Sequence, residues 1–349
     1  MAREPIQIGN YTVKPGERIT LELPVPSLYT HTELELPVHV IHSKKPGPVL
    51  FLSAALHGDE INGVEIIRRI LHSNRVNRIK GTLLAIPVVN IYGFINQTRY
   101  LPDRRDLNRS FPGSDKGSLA ARMAHLFLTE IVSKCTHGID LHTGAIHREN
   151  LPQVRAVLDD EETENMARAF TAPVILNTSI VEGSLREAVE KMGIAVIVYE
   201  ASEALRFNEV SIRAGVRGIF SVMREIGMLP PLKNPGRAGQ PIVAQSSSWV
   251  RAPQSGILRS IKSLGSRVVK DDLLGIVSDP FGEVAENITA PFDGIIIGRT
   301  NIPLVNEGEA LFHIARFKSV TRAASYVESF QQRLDPATDR DEPEEPPIQ

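Results

Sequence analysis

The sequence predicts a mixed α/β protein in which one sheet is covered by helices on both faces and a smaller all-β unit follows. Three observations carry that prediction. Strand-like and helix-like segments alternate from residue 48 to 227, a Pro- and Gly-rich passage then interrupts the chain, and a short strand pattern occurs twice beyond it. Alternation of this kind implies a mainly parallel or mixed sheet packed between helices.

Taken in order, residues 11 to 43 read as short antiparallel strands, with Lys14-Pro15-Gly16 as a turn and alternating apolar positions in Ile19 to Leu23 and Leu34 to Ile41. Pro48 to Leu56 is a continuous apolar run, the mark of a strand buried on both faces. Residues 60 to 72 repeat apolar positions at helical spacing. Further strands are expected over 82–89, 138–142, 153–158, 173–177 and 194–200, and helices over 118–134, 161–170, 184–192 and 207–227. Residues 90 to 117 break the rhythm as a long irregular stretch, a length that usually signals function in a compact domain.

Leu229 to Pro241 reads as a linker. Beyond it, Ala252-Pro253-x-x-Gly256-Ile257 recurs as Ala290-Pro291-x-x-Gly294-Ile295, and Val268 and Leu274 recur as Val305 and Leu311. The two copies resemble the halves of biotinyl and lipoyl carrier domains, which implies a small barrel-sandwich over 247–316. A carrier holds its cofactor on a hairpin lysine, yet Asp271 to Arg316 contains no lysine, and the expected hairpin reads Asp279-Pro280-Phe281-Gly282-Glu283. A carrier role is therefore excluded, and packing against the first domain or an oligomer contact is expected instead. Residues 318 to 334 suit a helix, and the acidic, Pro-rich 335–349 suits a disordered tail.

At 349 residues with 42% hydrophobic content, the chain can bury a large core and divide into more than one domain. Its net charge of -2 and pI near 6.6 provide no basic field, which argues against nucleic acid as a partner. One cysteine, Cys135, excludes an intrachain disulfide or a cysteine metal cluster and reads as a core residue. The amino terminus lacks a signal-type apolar core, and no stretch approaches the roughly 18 apolar residues of a membrane span. A cytoplasmic location without membrane association is expected.

The chemistry concentrates at strand ends. His57 and Glu60 fall at the turn between the 48–56 strand and the next helix, and Gly138 to Leu141 delivers His142 ahead of a Thr-Gly turn. Two imidazoles and one carboxylate suit a catalytic zinc, which takes three protein ligands and leaves a position for water. Strand carboxyl ends are also where α/β sheets bind ligands. In the long loop, Asn108-Arg109 suits a clamp for a substrate carboxylate. The same loop also reads as a solvated basic segment balanced by Asp103 and Asp106.

His57-x-x-Glu60, Asp106 to Gly113 and Asp140-Leu-His-Thr-Gly144, in this order, resemble the succinylglutamate desuccinylase and aspartoacylase family, relatives of the zinc carboxypeptidases. The likeness covers roughly 45 to 230. It implies a carboxypeptidase-like α/β fold over 1–240, one zinc per chain held by His57, Glu60 and His142, and a carboxylate clamp at Asn108 and Arg109. It also implies a catalytic glutamate at the end of a late strand, a position that Glu200 fits, with Glu203 as neighbouring competitor. Arg99 matches the oxyanion-stabilising arginine, Arg104 and Arg105 being the alternatives, and Arg186 matches a substrate-binding one.

The activity expected is a zinc-dependent amidohydrolase that removes the acyl group from an N-acyl amino acid through a zinc-activated water, with a homo-oligomer as an open option. A zinc metallocarboxypeptidase acting on peptides is the alternative among enzymes, and a non-catalytic protein that captures an acidic ligand is the alternative outside them.

Overall fold

A computed structural model describes residues 3–232 and 241–334. The tail 335–349 and most of the linker lie outside the described residues. The first part carries strands β1 (Ile6–Ile8), β2 (Tyr11–Val13), β3 (Arg18–Val25), β4 (Leu34–His42), β5 (Val49–Ala54), β6 (Thr82–Ile86), β7 (His137–Gly144), β8 (Arg148–Ala156), β9 (Val174–Asn177) and β10 (Ala195–Glu203). Its helices are α1 (Asn62–His72), α2 (Ile91–Ile95), α3 (Leu119–Glu130), α4 (Glu161–Ala169), α5 (Leu185–Lys191) and α6 (Glu209–Glu225). Beyond the linker follow β11 (Ile242–Ala244), β12 (Ser246–Arg251), β13 (Gly256–Ser260), β14 (Arg267–Val268), β15 (Leu273–Ser278), β16 (Ala285–Thr289), β17 (Gly294–Thr300), β18 (Leu304–Val305), β19 (Ala310–Arg316) and α7 (Val320–Leu334).

The centre of the molecule is a mixed sheet. β10, β7, β5 and β6 run parallel, β4 and β3 extend one side antiparallel, and β8 pairs antiparallel with β10 on the other. Helices cover both faces because side chains alternate along each strand. In β5, Leu50, Leu52 and Ala54 enter a core with Ile66, Ile67 and Ile70 of α1 and Ile219 and Phe220 of α6. Phe51 points the other way, to Met123 and Phe127 of α3 and Leu185 of α5. Each isoleucine that α1 buries contributes about 1.5–3 kcal/mol relative to exposure. The edge strand β3 buries only Leu21, Leu23 and Val25, as its alternation predicts.

The second part is antiparallel throughout its four-stranded sheet, of order β16-β15-β13-β18. Its other strands join the central sheet: β17 pairs antiparallel with β8, placing Gly298 opposite Asn150 and Thr300 opposite Arg148, and β19 and β12 continue outward. The two parts therefore share one sheet.

Several elements differ from expectation for physical reasons. Glu60 and Ile61 lie outside α1, since the Glu60 N–H bonds back to the His57 carbonyl in a turn. The stretch after residue 90 holds the short helix α2, which the Asn90 side chain caps through the Gly93 N–H. α3 stops at Glu130, before β-branched Ile131 and Val132, and continues only as a 3₁₀ turn. β8 begins at Arg148, four residues after β7 ends at Gly144 and earlier than the expected 153, because β17 recruits its polar first residues.

Candidate active site

Three strand ends and one loop build the site. After β5 the chain turns sharply at Ala55, whose φ of 47° is uncommon outside glycine, and presents His57 and Glu60. The turn lies so close to α2 that a Cβ on Gly58 would sit 1.9 Å from the Gly93 carbonyl carbon. β7 contributes Asp140 and His142, two residues apart and hence on one face. β10 runs parallel to β7 and sets Glu200 in register with His142.

The buried carboxylate of Glu60 is the hub. Its Oε1 accepts from His57 Nδ1 at 2.7 Å, and its Oε2 accepts from His142 Nδ1 at 2.7 Å and from the Thr143 N–H at 3.1 Å. Behind the imidazoles stand two more carboxylates: His57 Nε2 meets Asp106 at 3.1 Å, and His142 Nε2 meets Asp140 at 2.7 Å. Asp140 is in turn held by the Ser53 hydroxyl at 2.7 Å. Burial pushes the His57 imidazole down, but the Glu60 charge and the hydrogen bonds to Asp106 and Glu60 outweigh it, so the group titrates above its ordinary value. For His142 the same opposition, with Asp140 as the leading anion, ends well above that value. Burial would raise Glu60, yet the two imidazoles hold it far below the usual carboxylate range.

These donors suit a divalent cation. One ligand atom from each of His57, Glu60 and His142 lies within 4.8 Å of the others. A carboxylate behind each imidazole fixes its tautomer and orientation, the support that metal-bound histidines ordinarily receive.

Arg99 lies beside this group, donating to Glu60 at 3.2 Å and to Asp106 at 3.0 Å. Arg104 and Arg105 are exposed, and Arg105 lies 3.9 Å from Asp103. Asp106 also accepts from the Asn108 N–H at 2.8 Å, and Asn108 Oδ1 accepts from the Leu185 N–H at 2.9 Å, which docks the loop on α5. Arg109 donates to the Asn108 carbonyl at 2.6 Å, and Arg186 to Thr178 at 2.7 Å and the Ser179 carbonyl at 3.4 Å. Among the described residues neither guanidinium pairs with a carboxylate. Arg186 falls below its ordinary value through burial and the nearby charges of Arg155 and Arg109.

Glu200 forms an ion pair with Arg155 of β8. Glu203 is committed elsewhere, accepting from the His147 N–H at 2.9 Å and from Asn301 at 2.9 Å across the junction of the two parts. Four groups of this site had no assigned role in the sequence: Asp106, Asp140, Arg155 and Gln153. Asp140 was readable, since it stands two residues from His142 on a strand. Arg155 and Gln153 carry no local signal, because only strand pairing brings them to Glu200.

A mixed sheet with a buried His-Glu-His group at its strand ends defines an α/β protein equipped to hold a metal. The family description "Succinylglutamate desuccinylase/Aspartoacylase catalytic domain" matches residues 46–226, and the chain belongs to that family of deacylases. The N-alpha-acetyl-L-2,4-diaminobutyric acid deacetylase of Halomonas elongata is 26% identical over 292 residues, covering 80% of this chain and 85% of that one. Among solved structures, a product-bound ectoine utilization protein from Ruegeria pomeroyi has a TM-score of 0.79 at 24% identity, covering 90% of this chain and 99% of its own. A succinylglutamate desuccinylase/aspartoacylase from Rhodobacter sphaeroides has a TM-score of 0.76 at 24% identity, covering 90% and 97%. Among the described residues no helix is long and apolar enough to cross a membrane.

Proposed function

We propose that the chain is a zinc-dependent deacylase that hydrolyses the amide bond of a small N-acyl amino acid. The observation that carries this is the convergence of His57, Glu60 and His142 in one buried group, each imidazole backed by its own carboxylate. These three residues would hold zinc. When bound, zinc supplies a Lewis acid that polarises the amide carbonyl and acidifies water.

Glu200 takes the proton of the attacking water and returns it to the leaving nitrogen. Arg155 fixes the direction of that carboxylate. Arg99, already directed at Glu60, faces the oxygen on which negative charge develops. Asn108 and Arg109 bind the substrate carboxylate, with Arg186 as a further cation toward Glu200. The family and the Halomonas elongata deacetylase support an N-acyl amino acid as the substrate class. Residues 1–240 are read as the deacylase domain and 247–316 as a biotinyl/lipoyl-like unit without an attachment lysine.

The test joins metal content with amine release from acetyl and succinyl amino acids, before and after chelation. About one zinc per chain and chelator-sensitive turnover are expected. A Glu200→Gln protein that binds zinc and keeps its full rate removes Glu200 from the mechanism.

A further inference from the structure

Two cavities lie beside the loops that precede β5 and β6, at the end of the sheet opposite His57 and His142. One, of about 400 Å³, has apolar walls in Leu229, Pro230, Pro231 and Leu232 and cations in Arg75, Arg78 and Arg224. The other, of about 320 Å³, shares Arg78 and adds Arg18, Lys44 and Lys45, with Glu17 as its one carboxylate among the described residues. Like charges crowd here. Arg75 stands 4.9 Å over the Phe220 ring and Arg224 donates to the Phe220 carbonyl at 2.9 Å, so one residue holds both guanidiniums. Burial and then the charge of Arg75 push Arg224 below its ordinary value. Among the described residues no carboxylate forms an ion pair with Arg75, Arg78, Arg224, Lys44 or Lys45. Residues 233–240, which follow Leu232, contain no acidic residue either. A concave basic surface without counter-charge attracts anions.

The chain itself carries a matching anion. Residues 335–349 hold six carboxylates against one arginine, together with four prolines. They continue from α7, whose last residue, Leu334, lines a third cavity with Arg333 and with Arg217 of α6. Arg224 follows Arg217 by two turns on the same face of α6, about 10 Å along it. An extended chain covers about 3.3 Å per residue, so the acids from Asp339 to Glu345 are within reach of the basic cavities. We propose that the two cavities form one docking groove for residues 335–349 of the same chain, whose carboxylates pair with the arginines and lysines while the prolines cover Leu229 to Leu232. Charge favours this segment over a neutral peptide, and its departure beside Arg217 favours attachment within one chain over a second copy. Each exposed ion pair favours association by a factor of only about 1.4–5, so docking is the sum of several pairs and yields to salt.

The test places a spin label on the full chain through Ile348→Cys; Cys135 is buried and does not compete for the label. At about 0.01 M salt the label should move slowly, and at about 1 M, where charges are screened within about 3 Å, it should move freely. Arg75→Glu with Arg78→Glu, on exposed side chains, should cut the slow fraction at low salt by about threefold or more, whereas Arg75→Lys with Arg78→Lys should keep it. Thermal unfolding shows whether each double variant retains its fold, and Lys44→Glu with Lys45→Glu supplies the same reversal away from Phe220 if the first does not. A label that moves freely in the otherwise unaltered chain at low salt overturns the proposal, as does a slow fraction that both reversals leave unchanged. A slow fraction that falls on dilution belongs to a second copy and overturns attachment within one chain. A free label at low salt in a protein that binds inorganic tripolyphosphate makes the groove a site for small polyanions instead.

Discussion

Two neighbouring groups of buried polar residues are built on opposite terms. Around Glu60, both carboxylate oxygens and all four imidazole nitrogens of His57 and His142 have partners within the protein. Across Glu200, Gln153 has none, and His313 Nδ1 on β19 is likewise without one among the described residues. The first group is rigidly arranged before anything binds, as a metal site requires. The second is left with buried hydrogen-bonding capacity unmet among the described residues.

The largest way to break this contrast is to unbalance the first group. Glu60→Gln removes the anion between two buried imidazoles and Arg99, and should cost about 3–5 kcal/mol in denaturant unfolding. Its metal content should fall from about one per chain to near zero. On the other side, burial and then the charge of Arg155 lower the His313 imidazole to about 4, and the ring is only 7% exposed. Folding therefore keeps it neutral, whereas the unfolded chain takes up a proton below about pH 6.5. Stability present above pH 6.5 should drop by about 3 kcal/mol as the pH falls toward 4. Urea unfolding of wild type and His313→Phe should show that slope in the first and its loss in the second, where the new ring can still stack on Trp249.

Smaller effects sharpen the comparison. Arg99→Ala should lower kcat by about a hundredfold while zinc remains bound. Arg155→Met leaves Glu200 without its ion-pair partner, and should lower kcat by about tenfold with little change in zinc content or KM. Arg105→Ala, on an exposed side chain, should change kcat by less than about twofold and stability by less than about 0.5 kcal/mol.

Most of the fold was legible because long elements repeat their apolar positions. The β5 run and the α1 and α6 faces announce themselves, while the three residues of β1 and the five of α2 are too short for a period to appear. The His57-Glu60-His142 group was legible because His57 and Glu60 share one turn and His142 lies near the end of a strand. What stayed hidden depends on pairing between distant strands. Nothing near Arg148-Glu149-Asn150 foretells β17, and nothing near Arg155 foretells Glu200.

The shared sheet makes the second unit a poor interchangeable part. Leu151, Val174 and Leu176 bury themselves with Ile295, Ile297, Ala315 and Phe317, so one core belongs to both halves of the chain. A chain ended at residue 232 would leave the first residues of β8 without β17 and the outer edge of β9 without β11, beside an uncovered apolar surface, the combination that recruits foreign strands. Such a truncated protein should be lost to aggregation, so any recombination that exchanged one half would have to carry the seam residues of both.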